Sequence, residues 1–235
     1  MLDAVRGERV GHIVVTHTHR DHSPAAAAIR RATGAKIVGA RPYQPRSANG
    51  APHGLEAAHD LAYAPDRALS EGERIEGRGY TLETLATPGH AANHLAFALR
   101  EENSLFSGDC VMAWSTSVVA PPDGSMGDYM ASLDRLRQRG ESVYWPGHGG
   151  PVREPQRYVR ALAHHRRQRE ASILARLDAG DETIAQIVAR IYENLNPALV
   201  GAASLSTLAH LDDLVARGLA SVKGQLSLAS HFRKT

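Results

Sequence analysis

Residues 13–22 read IVVTHTHRDH and place four potential metal ligands directly behind an apolar, β-branched run. That run is typical of a buried strand, along which successive side chains point to opposite faces. His17 and His19 therefore leave the backbone on the same side, and the following turn brings Asp21 and His22 back toward them. Imidazole nitrogens with a carboxylate suit zinc or another divalent first-row ion. The alternative is a chance surface cluster in a chain with 13 histidines, because short motifs have false positives.

Three later segments each end an apolar run in a loop that carries another metal-type side chain. They are Thr87–His90, Phe106–Cys110 and Tyr144–Gly150, which supply His90, Asp109 and His148. Proline and glycine in these segments indicate turns and allow close backbone approach. Loops on a rigid scaffold commonly carry function. The sequence therefore predicts one site built at four strand ends, with seven candidate ligands.

From about Val10 to Val152 this series resembles the metallo-beta-lactamase superfamily, whose hallmark is HxHxDH followed by a lone His, a lone Asp and a final His. The resemblance implies a mixed α/β (α+β) fold, an αββα sandwich. It also implies a hydrolase with two zinc ions, manganese or iron being alternatives, that share a water which Asp21 orients. Carried over by position, the first metal would be held by His17, His19 and His90, and the second by Asp21, His22 and His148, with Asp109 between them.

The start of the chain departs from this family pattern. Members normally have several strands before the first motif, whereas only 16 residues precede His17. We therefore expect a sandwich lacking its N-terminal strands, either because the start codon is misassigned or because the protein is a shortened variant. In a shortened variant, an uncovered sheet edge and apolar face would favour aggregation or dimerisation.

A second unit is predicted from residue 153 onward, so that residues 1–152 form the metal-binding domain and 153–235 a C-terminal domain. Apolar residues recur at helical spacing after Glu154, and Ala179-Gly180 ends that run. Further helices are predicted at Thr183–Asn194 and Ser204–Arg217. Leu219–Val222 and Gln225–Leu228 flank Lys223-Gly224 as a short hairpin. Three helices followed by a hairpin predict a winged helix.

This C-terminal unit resembles the one in the β-lactamase-like protein 2 group, which carries HHRxxRE and HLxxLxxxG. The matching residues are His164–Glu170 and His210–Gly218. A member of that group is a single-strand-specific endoribonuclease, so the resemblance implies single-stranded RNA as one substrate. The third helix carries Asp212 and Asp213 where a DNA reader needs Lys or Arg. Sequence-specific DNA binding is therefore disfavoured, and a role in shaping the active-site mouth or in a homodimer is preferred.

The segment after Asp109 is rich in Pro and Gly, which predicts a shaped loop at the rim of the site. Its candidate substrate-pocket residues are Trp114, Ser115, Met126 and Tyr129. Equally, Met126, Tyr129 and Leu133 are spaced as the packed face of a helix.

Four other residues near the motifs are interpreted more plainly. His94 is expected to pack or hydrogen-bond on the next strand, and Cys110 to be a small buried hydrophobe. The stretch Arg41 to Pro65 is predicted to be a loop over the cleft, with His53 and His59 facing solvent or making local hydrogen bonds.

Composition narrows the class of protein. One cysteine excludes a disulfide framework. The sequence lacks an apolar run of about 18 residues, the length that would predict a membrane span. We therefore expect a cytoplasmic protein without a membrane partner.

Two classes of function stay open from sequence. One is a hydrolase acting on a small-molecule ester or thioester, or on a phosphodiester such as RNA. The other is a non-catalytic binding or regulatory module with structural metal and a winged-helix interaction domain. Seven candidate ligands favour the hydrolase, since a closed structural zinc site needs four.

Overall fold

The computed structural model describes residues 2–44 and 58–235. It contains two regions that each combine helices and strands, an N-terminal sandwich and a mainly helical C-terminal unit. The strands are β1 (His12–Val15), β2 (Lys36–Gly39), β3 (Arg67–Ala68), β4 (Arg74–Gly77), β5 (Tyr80–Ala86), β6 (Leu95–Leu99), β7 (Ser104–Gly108), β8 (Val143–Pro146), β9 (Ala220–Val222) and β10 (Phe232–Lys234). The α-helices are α1 (Ala25–Thr33), α2 (Met126–Arg137), α3 (Pro155–Asp178), α4 (Ile184–Ile191) and α5 (Val200–Ala216), and Leu2–Val5 and Pro197–Leu199 are 3-10 turns.

The first sheet has three strands in the order β1-β2-β3, with parallel pairing throughout. Helix α1 is the crossover between β1 and β2, as parallel neighbours require. Val15 pairs with Gly39 at the end of this ladder. Gly39 has φ +132°, and a Cβ there would lie 2.2 Å from the carbonyl oxygen of Val15, so only glycine fits. This close approach fixes the position at which β1 ends and the histidine motif begins.

The second sheet has five strands in the order β4 to β8. Neighbours from β4 to β7 are antiparallel, and β8 joins parallel to β7 after the α2 crossover. On one face, Val38 and Leu69 of the first sheet pack against Ile75, Leu95 and Phe97. On the other face, strand residues pack against α2 and α3 through Leu105, Tyr144, Tyr129, Leu133 and Val159. The layers are therefore α, β, β and α, as predicted.

One row of large side chains crosses the inner face of the second sheet. Phe97 pairs with Phe106, and Phe106 pairs with Trp145. Phe97 is 1% exposed, whereas Phe106 and Trp145 are 40% and 41% exposed. In the described residues β1 is the edge strand of the first sheet.

Helix α3 belongs to both regions. Its first half contributes Val159 and Leu162 to the sandwich core, and its second half contributes Ile173 and Leu177 to the core of the C-terminal unit. Ala209 of α5 also packs into the sandwich core. The predicted boundary at residue 152 falls just before α3.

The C-terminal unit contains the predicted helices with shifted ends. Thr183 caps α4 in a capping box with Gln186, and α5 begins four residues before the predicted Ser204. The prediction of Gln225–Leu228 as the second hairpin strand was wrong. The partner of β9 is β10, and the two strands are antiparallel. Ser230 accepts from the Ser227 amide and donates to the Gln225 carbonyl, which folds that stretch into a turn. Phe232 then fills the buried strand position.

The helical segment Pro197–Ala216 is long and apolar enough to cross a membrane by length and composition. This is weak evidence, because core helices pass the same test. Leu208, Leu211 and Leu214 of this segment pack in the core of the C-terminal unit.

Candidate metal centre

Four chain segments bring the predicted ligands to one edge of the sandwich. The motif of residues 17–22 follows β1, His90 follows β5, Asp109 follows β7 and His148 follows β8. The amide of His22 donates to the carbonyl of His19 over 2.9 Å. This turn returns the second half of the motif toward the first, as the sequence predicts.

Three imidazoles converge on one point. Nε2 of His17 lies 3.1 Å from Nδ1 of His19, and Nε2 of His90 lies 2.9 Å from the same Nδ1. Three nitrogens held tetrahedrally at 2.0–2.1 Å from one zinc ion would be about 3.3 Å apart. The observed spacing is slightly tighter, and the donor set fits a divalent ion.

A second group lies beside the first. Nε2 of His148 is 3.1 Å from Oδ2 of Asp21 and 3.2 Å from Nε2 of His22. Nε2 of His22 is 3.5 Å from the same Asp21 oxygen. Two nitrogens and one carboxylate oxygen thus offer a second divalent site with mixed ligands.

Asp109 lies between the two groups. Its Oδ1 is 3.4 Å from Nε2 of His22, and its Oδ2 is 3.7 Å from Nε2 of His90 and 3.4 Å from Nε2 of His148. Oδ1 is buried and has no hydrogen-bond partner of good geometry in the described residues. A buried carboxylate oxygen without a donor is costly, and a bridging cation would satisfy it. Gly147 permits this approach, since a Cβ there would lie 2.4 Å from Oδ1.

The protonation state of the first group of histidines favours metal binding. Burial, together with neighbouring histidines, holds the pKa of His17 well below its ordinary value and lowers that of His19 to about 3. Burial also lowers the pKa of His90. Burial opposes charge on His22 as well, but the nearby carboxylates of Asp109 and Asp21 raise its pKa. The first group is therefore neutral, the form in which imidazole binds a metal.

Several side chains support the ligands from behind. Nδ1 of His90 donates to the carbonyl of Val118 over 2.6 Å, which leaves Nε2 facing the cluster. His94 accepts from the amide of Asp109 over 3.0 Å and contacts Oγ1 of Thr87. The prediction that His94 hydrogen-bonds is confirmed, and it lies just before β6. Such partners orient ligands in metal sites.

The structure adds a buried pair that sequence reasoning missed. His59 contacts Asp123 over 3.1 Å and Oγ1 of Thr18 over 2.8 Å, and its ring centre is 4.5 Å from that of His19. Tyr43 stacks on its other face. The expectation that His59 faces solvent or bonds locally was wrong, because it is fully buried and its partners are distant in sequence. No local pattern signals such pairing, and the expectation for His53 concerns a residue outside the described residues.

A cavity of about 340 Å³ opens over the two groups. Two predicted pocket residues, Trp114 and Ser115, line it, and Trp114 is 74% exposed. Met126 and Tyr129 do not line the cavity: both are buried on the packed face of α2, which confirms the alternative expectation for them. The cavity is lined by His19, Asp21, Ala58, His90, Asp109, Met112, Trp114, Ser115, Val118, Ala120, Asp123 and His148. Cys110 is fully buried, as predicted, and burial raises the pKa of its thiol to about 12.

The αββα sandwich, the paired His/Asp groups at its edge and the C-terminal winged helix together define a class of metal-binding fold. The chain belongs to the metallo-beta-lactamase superfamily, whose sequence profile matches residues 1–148. The profile of the beta-lactamase associated winged helix domain matches residues 183–228.

Relatives of known name share part of their length with this chain. A lactamase-like protein from Aspergillus niger is 30% identical over 73% of this chain and 48% of its own. A beta-lactamase-like protein 2 homolog from Caenorhabditis elegans is 29% identical over 87% of this chain and 64% of its own, which supports that branch. A thioesterase from Emericella nidulans is 30% identical over 71% of this chain and 42% of its own. The chain spans about half the length of the curated relatives it matches.

Solved structures confirm the fold. A metallo-beta-lactamase family protein from Thermus thermophilus superposes with a TM-score of 0.77 at 24% identity, covering 99% of this chain and 83% of its own. A beta-lactamase domain protein from Burkholderia ambifaria gives 0.77 at 20% identity, covering 98% and 75%.

Proposed function

We propose that this protein is a metal-dependent hydrolase of small-molecule acyl esters, with an acyl thioester as the preferred substrate. The observation that carries this is the cavity over the metal ligands, which has an apolar and aromatic wall and no Lys or Arg among its described lining residues. An acyl chain gains free energy by leaving water for such a wall. The name of the Emericella nidulans relative, a thioesterase, supports the same chemistry.

The seven candidate ligands form two metal-binding groups that share Asp109. His17, His19 and His90 would hold one divalent ion, and His22 and His148 with Asp21 would hold another, Asp109 joining both. We propose zinc, with manganese or iron as alternatives, because the donors are nitrogen and carboxylate oxygen without thiolate. When bound, such a pair of ions would lower the pKa of a bound water to near neutral, and would also polarise the carbonyl under attack as a Lewis acid.

The residues around the ligands position the reactants. Asp21 has a half-exposed carboxylate at the cavity edge, where it can hold a proton from the attacking water. Trp114 lies beside His148, with ring centres 6.1 Å apart, and gives a flat acyl group a surface to stack on. Val118 and Met112 extend that apolar wall.

An RNA substrate fits this cavity less well. Beyond the phosphate at the metal ions, a phosphodiester backbone needs Lys or Arg for charge neutralisation, and the described lining of the cavity offers none. RNA therefore stays as the competing outcome, to be tested beside the thioester.

The test begins with metal content, measured by elemental analysis of untagged protein purified without chelator. Turnover of an S-acyl thioester, a nitrophenyl ester, bis-nitrophenyl phosphate and single-stranded RNA is then compared in wild type and Asp21→Ala. We expect close to two ions per chain, thioester turnover, and a loss of at least about 100-fold in the variant. His164→Ala, at an exposed helical site, is the matched control.

Equal rates in wild type and Asp21→Ala would contradict the hydrolase and favour the non-catalytic binding module. Turnover of RNA alone would replace the thioester as substrate and leave the hydrolase standing.

A further inference from the structure

The motif at residues 164–170 has one member that turns inward. Arg166 is 4% exposed, whereas its neighbours His164, His165 and Arg167 are exposed. A buried guanidinium is costly unless its donors are bonded. In residues 2–44 and 58–235 no carboxylate lies within ion-pair distance of Arg166. Its burial therefore requires another explanation than an ion pair.

The Arg166 guanidinium joins the C-terminal unit to the loop of residues 113–119. Nη2 donates to the carbonyl of Ser117, and Nη1 donates to Oγ of Ser206 on α5 over 3.2 Å. The guanidinium also lies 5.4 Å from the ring centre of Tyr129. Its planar fork can hold two acceptors in fixed directions, which a lysine ammonium cannot.

Ser117 is the point at which this loop is fixed. Its hydroxyl donates to the carbonyl of Cys110 over 3.1 Å and accepts from the hydroxyl of Tyr129 over 3.2 Å. The next residue, Val118, accepts the hydrogen bond from Nδ1 of His90 with its carbonyl, and its side chain lines the cavity. A shift at Ser117 would therefore move both the cavity wall and a ligand.

We propose that Arg166 is a positioning residue on α3 that holds the loop of residues 113–119, and through the Val118 carbonyl the ring of His90, against α5 of the C-terminal unit. The C-terminal unit thus contributes to the site through Ser206, which accepts from Arg166, without touching the substrate. The loop and ligand parts of this proposal stand on the contacts alone, and only its kinetic consequence rests on the proposed function.

The experiment compares Arg166→Met, Arg166→Lys and Ser206→Ala with Arg167→Met. Arg167 is the matched control, since it is exposed on the same helix and forms an ion pair with Asp134. All are made with Trp145→Phe, which leaves Trp114 as the one tryptophan of the chain. Time-resolved anisotropy of Trp114 in metal-free protein reports the mobility of the loop without any turnover.

We expect Arg166→Met to increase the fast anisotropy amplitude of Trp114 about twofold, because a released loop moves on the nanosecond timescale. Zinc affinity in chelator competition should fall about tenfold, as for other partners behind a ligand. Thioester KM should rise more than kcat falls. Arg166→Lys should recover part of each effect, and Arg167→Met should match the parent.

Unchanged anisotropy and zinc affinity in a folded Arg166→Met protein would overturn the proposal. If that variant does not fold, Ser206→Ala decides, since it removes only the anchor on α5; a smaller change in the same direction supports the proposal and none overturns it. If the wild type has no thioesterase activity, the proposed function fails while anisotropy and zinc affinity still judge Arg166.

Discussion

The metal centre and the α3–α5 contact both bury histidines, but they bury them differently. His19 and His210 each have a pKa lowered to about 3, in both cases chiefly by burial. Nδ1 of His19 meets two other imidazole nitrogens within 3.1 Å. Both ring nitrogens of His210 lack a hydrogen-bond partner in the described residues, and its charged neighbours include Arg166, Arg169 and Arg217. Burial and a low pKa therefore do not by themselves identify a metal site; convergence of ligand atoms does.

The largest effect is expected from breaking the point that both metal groups share. Asp109→Asn removes the charge of the carboxylate between them, and we expect zinc affinity to fall more than about 100-fold, beyond the loss seen for partners that merely support ligands. Elemental analysis and chelator competition measure this. His210→Leu should leave metal content unchanged, and a loss there equal to that of Asp109→Asn would contradict the distinction between the two regions.

A smaller effect is expected one layer behind the ligands. His59→Ala removes the ring that packs on His19 and bonds Thr18 and Asp123. We expect zinc affinity to fall about 10- to 100-fold, because the His19 ring loses its support. Titration of metal-free protein with zinc checks this. Wild-type affinity in folded His59→Ala would show that the pair has only a structural role.

The buried His210 of the C-terminal region should make folding stability depend on pH. The pKa of His210 is lowered in the folded state to about 3 from 6.5, so the unfolded chain binds the proton first as pH falls. Folding stability is therefore lost below pH 6.5, at up to about 1.4 kcal/mol per pH unit from this residue. Urea unfolding of metal-free protein at pH 6.5 and 5 should show a shallower loss for His210→Leu. Parallel losses would contradict a neutral buried His210.

The smallest effect is expected from the cap of α4. Thr183 accepts from the amide of Gln186 over 3.3 Å, and the Gln186 side chain accepts from the Thr183 amide over 3.0 Å. Thr183→Ala should lower the free energy of unfolding by about 1 kcal/mol without changing zinc affinity. Thermal unfolding and chelator competition together test whether the two regions respond separately. Loss of zinc affinity in this variant would show that they do not.

Much of the fold could be predicted from sequence, because the patterns that indicate its strands, turns and helices are local or belong to the motif series. The β-branched run before His17, the Pro-Gly turn before His90 and the helical spacing after Glu154 each specify a nearby element. The hairpin failed at Gln225–Leu228 because hydrogen bonds between Ser227 and Ser230 there form a turn, which composition does not distinguish from a strand. The sequence left Met126 and Tyr129 open between the pocket and the packed face of a helix, and helix α2 turns both into the core.

By itself the sequence determined the seven candidate ligands and the helices of the C-terminal unit, since side-chain alternation and turn chemistry act within a few residues. The sandwich that presents the ligands was implied by the resemblance of the motif series to a known superfamily. Only the tertiary structure decided what stands behind the ligands. His59 meets Asp123 across 64 positions, and Arg166 meets Ser117 across 49. Such pairs form because burial removes water from polar groups and favours any partner that the fold supplies, and no spacing along the chain records that choice.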